Sequence, residues 1–274
     1  MSTVWKGVAV SYCTALVLVT CIAVGGGALG MSVTSPSWAV LGPMVMWTPA
    51  LGVLVARKTV DRDWAPRYRL RTWGKPWWWV LAIPVLVSLG IYGMARMGAV
   101  AAGHSTWDPH WDGAGGIVVN LVVNFVLIAF IGGFGSLGEE LGWRGYLQPR
   151  LEDAGVRFPV LWVAVLWAPF HLPVMLFSGY LDAGDPSKLA LVFTLFFVTC
   201  VADSYLWARA CTYAKSLWPA VWFHTYHNWF SQFVFPRLFS GDDNELMIGE
   251  HGVFAMGAHV LFASALFVCL RRKR

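Results

Sequence analysis

The sequence predicts an all-α fold: a polytopic membrane bundle of about eight transmembrane helices forming one integral membrane domain over residues 1–274. Three observations carry this reading. Hydrophobic residues make up 57% of the chain and charged residues only 13%, against about 25% charged in an ordinary soluble domain. The apolar residues fall into runs of about 20, the length that crosses a hydrocarbon core, and not into short amphipathic stripes. Many of the 17 Trp flank those runs, at Trp38, Trp64, Trp73, Trp77, Trp78, Trp79, Trp107 and Trp111, where a ring that is apolar on its faces and polar at one edge suits the membrane interface.

The runs place spans at about 7–30, 39–56, 77–97, 115–137, 158–178, 188–208, 213–235 and 252–270. The first follows Lys6 as a signal peptide would, but it is long and no A-x-A site closes it, so it reads as a retained span. Pro43, Pro49, Pro84, Pro169, Pro173 and Pro219 lie within spans, which membrane helices tolerate when neighbours satisfy the freed backbone groups. With eight crossings, 17 of the 20 Lys and Arg fall on the side of the two termini. The positive-inside rule makes that side cytoplasmic, and so predicts a multi-pass cell-membrane protein with both termini in the cytoplasm. The seven basic residues from Arg57 to Lys75 read as a topological anchor before they read as a lipid-headgroup dock.

Other features exclude more than they assign. The net charge of +5 is spread over separate short loops, so no nucleic-acid partner is expected; the expected partners are the lipid bilayer and a membrane-associated substrate. The cysteines at 13, 21, 200, 211 and 269 form no CxxC or CxxH pair and read as small apolar residues. No internal repeat, low-complexity tract or inserted soluble domain interrupts the chain.

Ionisable groups inside a membrane are costly and mark function by default. Near the inner end of the fourth span stand Glu139, Glu140 and Arg144. Glu140 and Arg144 are four apart and share a helix face, while Glu139 points about 100° away. One carboxylate can therefore be oriented by Arg144 while the other addresses a cavity and takes a proton from water. Gly135, Gly138, Gly142 and Gly145 permit close helix approach or backbone irregularity. His171 lies well inside the fifth span between Pro169 and Pro173, each of which removes a backbone donor. In the seventh span His224 and Asn228 share a face and can both donate to developing negative charge, whereas His227 turns elsewhere. His104, Asp108, His110 and Asp112 read as a polar outer loop rather than a metal site, Asp203 as a group with an intramembrane partner or a share in the site, and Asp242, Asp243, Glu245 and Glu250 as a solvated outer loop.

At these residues the chain resembles the CPBP family, named for CAAX prenyl proteases and bacteriocin processing. Glu139-Glu140-x-x-x-Arg144, Trp167-x-x-x-His171 and His224-x-x-x-Asn228 match its three motifs in order, with Trp167 where the family has Phe. The resemblance covers about 136–230, including Gly142–Leu147 and Ser216–Ala220. It implies an intramembrane endopeptidase whose core opens towards the cytoplasm. Glu139 or Glu140 with His171 would activate water, Arg144 would hold the other glutamate, and His224 with Asn228 would stabilise the oxyanion. The Trp167 departure bears on cavity shape more than on chemistry.

No cofactor is required in the favoured reading. Zinc is the alternative, on Glu140, His171 and His224, although the chain has no H-E-x-x-H helix and Asn is an unusual zinc ligand. Two other function classes compete: a catalytically silent immunity or scaffold protein, and a proton-coupled transporter. The outer halves of the spans read as apolar, which counts against a continuous transport path.

Overall fold

The structure is a computed structural model that describes residues 3–33, 35, 37–62, 65, 76–110, 113–178, 186–241 and 245–272. Trp64, Trp73, Trp111, Asp112, Asp242, Asp243 and four of the basic residues before the third span (Arg67, Arg69, Arg71, Lys75) lie outside the described residues.

The helices follow the apolar runs: α1 (Thr3–Ala28), α2 (Trp38–Thr59), α3 (Trp77–Ala101) and α4 (Gly113–Gly142). A π-helical turn, Trp143–Leu147, then leads without a break into α5 (Gln148–Asp153). The fifth run forms α6 (Pro159–Phe170) and α7 (Leu172–Phe177), and α8 spans Pro186–Ala214. The seventh forms α9 (Trp218–Trp229), a second π-turn at Phe230–Val234 and α10 (Phe235–Leu238). After α11 (Glu245–Ile248), α12 (Val253–Arg271) closes the chain. Seven helical stretches are long and apolar enough to cross a membrane, and the segmented α9–α10 stretch takes the place of the seventh expected span. The molecule is an all-α, multi-pass membrane bundle.

Three boundaries differ from expectation, each for a local reason. The fourth span does not end near residue 137; α4 carries the glutamates inside a continuous rod that reaches Asp153. The fifth breaks at His171, because the ring of Pro173 clashes with the carbonyl four residues earlier and Pro173 has no N–H to donate; the His171 N–H turns instead to the Ala168 carbonyl at 3.1 Å. The sixth runs on to Ala214, where Lys215 at φ 52° takes the left-handed conformation that terminates a helix.

Helix α1 packs on α2, α2 on α4, and α4 on α9; α9 also packs on α3 and α8, and α8 on α6 and α12. The α2–α4 contact is unusually close. A Cβ at Gly138 would stand 2.7 Å from the Met46 carbonyl oxygen and 2.8 Å from the Trp47 Cα, and one at Gly142 would strike Pro49. Gly135, Gly138 and Gly142 thus form the stripe through which α4 lies on α2. Gly145 serves differently, within the π-turn, where a Cβ would press on the Glu140 carbonyl oxygen at 3.3 Å.

The opposite face of α4 exposes Val118, Val122, Val126, Phe130 and Phe134 at helical spacing. In water this would be a large apolar patch; in a bilayer it is the lipid-solvated face. On the side of the termini, Asp61 after α2 accepts from Tyr146 Oη at 2.9 Å and from Arg150 Nη2 at 2.6 Å. On the other side, β1 (Ser105–Trp107) pairs antiparallel with β2 (Phe239–Gly241).

Candidate active site

A cavity of ≈ 860 Å³ occupies the bundle interior. Glu139 from α4, His171 at the α6–α7 break, and His224 and Asn228 from α9 all line it; Glu140 and Arg144 do not.

Glu140 and Arg144 are fully buried beside it. The Nη1 of Arg144 donates to both Glu140 oxygens at 2.9 and 3.2 Å, and Nη2 donates to Ser204 Oγ at 3.1 Å. Its guanidinium lies against the indoles of Trp167 and Trp207, 4.5 and 4.7 Å from the ring centroids. Hydrogen bonds along the edge and indole rings against the guanidinium suit a planar cation. The second function of Glu140 is to receive His224, whose Nδ1 lies 3.0 Å from Oε1.

Glu139 is held differently. Its Oε2 accepts from Trp167 Nε1 at 2.9 Å and Trp143 Nε1 at 3.1 Å. Its Oε1 lies 4.0 Å from His224 Nε2. Two neutral donors fix one oxygen and leave the other for a partner in the cavity. The Trp167 substitution therefore alters chemistry as well as shape, since Phe has no N–H to offer the glutamate. His171 Nδ1 donates to the Trp167 carbonyl at 3.0 Å, which makes Nε2 the proton-accepting nitrogen of the neutral ring.

The six residues singled out in sequence thus lie in one region, divided between a cavity wall and a buried ion pair behind it. Sequence reasoning missed the two indole donors to Glu139 and the indole pair around Arg144, which no spacing rule signals. It also misassigned two residues. His227, expected to turn elsewhere, lines the same cavity, because helix α9 is surrounded by α3, α4 and α8 and its neighbouring faces are all interior. Glu250, expected to be solvated, lines the cavity too, accepting from Ser231 Oγ at 2.7 Å and Gln232 Nε2 at 3.1 Å. The chain folds back between β2 and α12, and that return path is invisible in local sequence. Asp203 faces His227 and His259, at 3.6 Å from each. In the outer loop, Asp108 and His110 form an exposed pair at 3.4 Å.

The residues expected to hold zinc do not fit a shared ion. Glu140 is engaged by Arg144 and by His224 Nδ1, and it does not reach the cavity that His171 lines.

The cavity extends towards the helix ends opposite the termini. Val33, Trp38, Arg96, Ile248, Gly249, Glu250 and His251 line it, all from helix ends and connections opposite the termini. Towards the termini, Arg144, Tyr146, Leu147, Ser216 and Leu217 are all buried and close the floor. The half of the bundle away from the termini, expected to be apolar, contributes Arg96, Glu250 and His251 to the cavity lining.

A search of curated proteins found none that matches. A scan against family models matches residues 118–230 to the model described as type II CAAX prenyl endopeptidase Rce1-like. The matched region holds both glutamates, Arg144, His171, His224 and Asn228, and the family is a protease family. Over residues 118–230 the chain is similar to the type II CAAX prenyl endopeptidase Rce1-like family.

Proposed function

We propose that this protein is an intramembrane endopeptidase that hydrolyses a peptide bond of a membrane-associated or lipidated peptide, using water activated by Glu139 and His171. The observation that carries this reading is the convergence of Glu139, His171, His224 and Asn228 on one cavity. Glu139 takes the proton of a water molecule on Oε1 while the Trp143 and Trp167 indoles keep Oε2 in place. His171 orients that water through Nε2. The hydroxide adds to the scissile carbonyl carbon and the C=O electron pair moves to oxygen. His224, with Nδ1–H on Glu140 and a proton on Nε2, donates to that oxyanion together with the Asn228 amide. As the C–N bond breaks, the proton on Glu139 passes to the leaving amine. Arg144 acts through Glu140, holding the acceptor that aligns His224.

Substrate enters from the face opposite the termini. The Lys and Arg distribution makes that face non-cytoplasmic, so the reading favours substrates whose scissile bond lies in the outer half of the membrane over cytoplasmic tails.

The test is cleavage of membrane-anchored reporter peptides by purified protein in proteoliposomes, comparing wild type with Glu139→Gln, His171→Ala and Asn228→Ala. Loss of about 10²–10⁴-fold is expected for Glu139→Gln. Cleavage that persists undiminished in Glu139→Gln and His171→Ala overturns the assignment. A cellular phenotype that survives Glu139→Gln would identify a silent scaffold instead.

A further inference from the structure

Beside the four cavity residues assigned to catalysis lies a second cluster that the proposed reaction does not use. Asp203 from α8, His227 from α9 and His259 from α12 are all buried, and each offers a ligand atom within 4.8 Å of the others. No other group of three His, Cys, Asp or Glu among the described residues meets that condition.

The separations are those of ligands around a common ion. His259 Nε2 to His227 Nδ1 is 3.4 Å, His227 Nδ1 to Asp203 Oδ2 is 3.6 Å, and His259 Nε2 to Asp203 Oδ1 is 3.6 Å. Good hydrogen bonds between such atoms fall at about 2.7–3.2 Å. Tetrahedral zinc, with bonds of about 2.0–2.2 Å, puts its ligand atoms about 3.3–3.6 Å apart. Two imidazole nitrogens and one carboxylate oxygen are also a donor set that zinc accepts.

The surroundings orient both rings for this. His259 Nδ1–H donates to the Ala255 carbonyl at 2.7 Å, which leaves Nε2 as a lone pair aimed at the cluster. On His227, Tyr92 Oη lies 3.2 Å from Nδ1 and 3.0 Å from Nε2. A proton on Nε2 donates to the phenol oxygen and leaves Nδ1, the nitrogen facing Asp203 and His259, free to coordinate. Asp203 has no Lys or Arg salt-bridge partner among the described residues, and a buried carboxylate calls for a compensating charge. An ion has a way in, since Asp203 and His227 both line the cavity.

We propose that Asp203, His227 and His259 bind a divalent transition-metal ion of the zinc class, with a cavity water at the fourth position, distinct from the glutamate–histidine pair assigned to hydrolysis. The ion would join α8, α9 and α12, and so tie the last helix to the core. This proposal is independent of the protease reading, and either can fail without the other.

The test is elemental analysis of protein purified in detergent, equilibrated with zinc and desalted, for wild type, Glu139→Gln, Asp203→Asn and His259→Ala. About one zinc per chain is expected in wild type and Glu139→Gln, and a loss of at least tenfold in Asp203→Asn and His259→Ala. Cobalt(II) titration of the wild type, which depends on no variant folding, is expected to give the intense visible absorption of a tetrahedral site. Wild type that retains neither metal overturns the proposal. So does a metal lost in Glu139→Gln but kept in His259→Ala, which would locate it at the hydrolytic pair.

Discussion

Glu139 and Glu140 are adjacent in sequence, and the structure gives them opposite surroundings. Glu140 sits in a charged clamp of Arg144 and His224, while Glu139 faces the cavity with one oxygen fixed by two indoles. Removing the cation of a buried pair leaves an uncompensated charge that costs about 3–5 kcal/mol. Arg144→Ala is therefore expected to lower thermal stability strongly as well as activity. Arg144→Lys is expected to rescue little, because an ammonium neither stacks on Trp167 and Trp207 nor bridges Glu140 and Ser204 in one plane; thermal melts of the two variants check this. Trp167→Phe restores the residue typical of the resembling family and removes one hydrogen bond from Glu139. A loss of about 1–2 kcal/mol in transition-state stabilisation, five- to thirty-fold in kcat/KM with the fold intact, is expected. Unchanged kcat/KM would mean that the second indole, Trp143, suffices.

At the scale of elements, the site depends on helices that are interrupted where chemistry is needed. Two of the three motifs adjoin a π-turn, Trp143–Leu147 after the glutamates and Phe230–Val234 after Asn228, and such turns concentrate at functional sites because they re-aim side chains within a helix. His171 sits at a proline-made break for the same reason. The approach of α4 to α2 sets how far Glu139 stands from the opposing wall. Gly138→Ala puts a methyl within 3 Å of α2 backbone, so the helices must separate. Destabilisation of about 1–3 kcal/mol is expected, with reduced cleavage, measured by a thermal melt and the peptide assay together. Gly25→Ala, where an added Cβ meets nothing within 4 Å, is the matched control and is expected to be silent.

At the scale of the whole molecule, the cavity lining extends to helix ends opposite the termini, while Arg144, Tyr146, Leu147, Ser216 and Leu217 are buried towards the termini. In a variant lacking native cysteines, a thiol at Ile248 is expected to react with a membrane-impermeant maleimide added outside intact cells, and one at Lys215 only after lysis. The reverse pattern would restore cytoplasmic entry and invert the positive-inside assignment. Hydrophobic composition settles that the chain lives in a bilayer, but not which face its cavity addresses, because both faces of a bundle carry the same apolar helices.

The all-α membrane class, the order of the spans, and Glu139, Glu140, Arg144, His171, His224 and Asn228 as a group were legible in the sequence. Apolar run length and the cost of burying charge are local properties, written residue by residue. Tertiary structure alone decided which glutamate meets the cavity, that Trp143 and Trp167 hold it, and that His227 and His259 meet Asp203. Those facts depend on contacts between residues as far apart as Asp203 and His259, and no periodicity along one helix encodes the facing surface of another. The intramembrane charges, evident in the sequence, thus became a cavity wall, a buried ion pair and an Asp–His–His cluster only when the helices were packed.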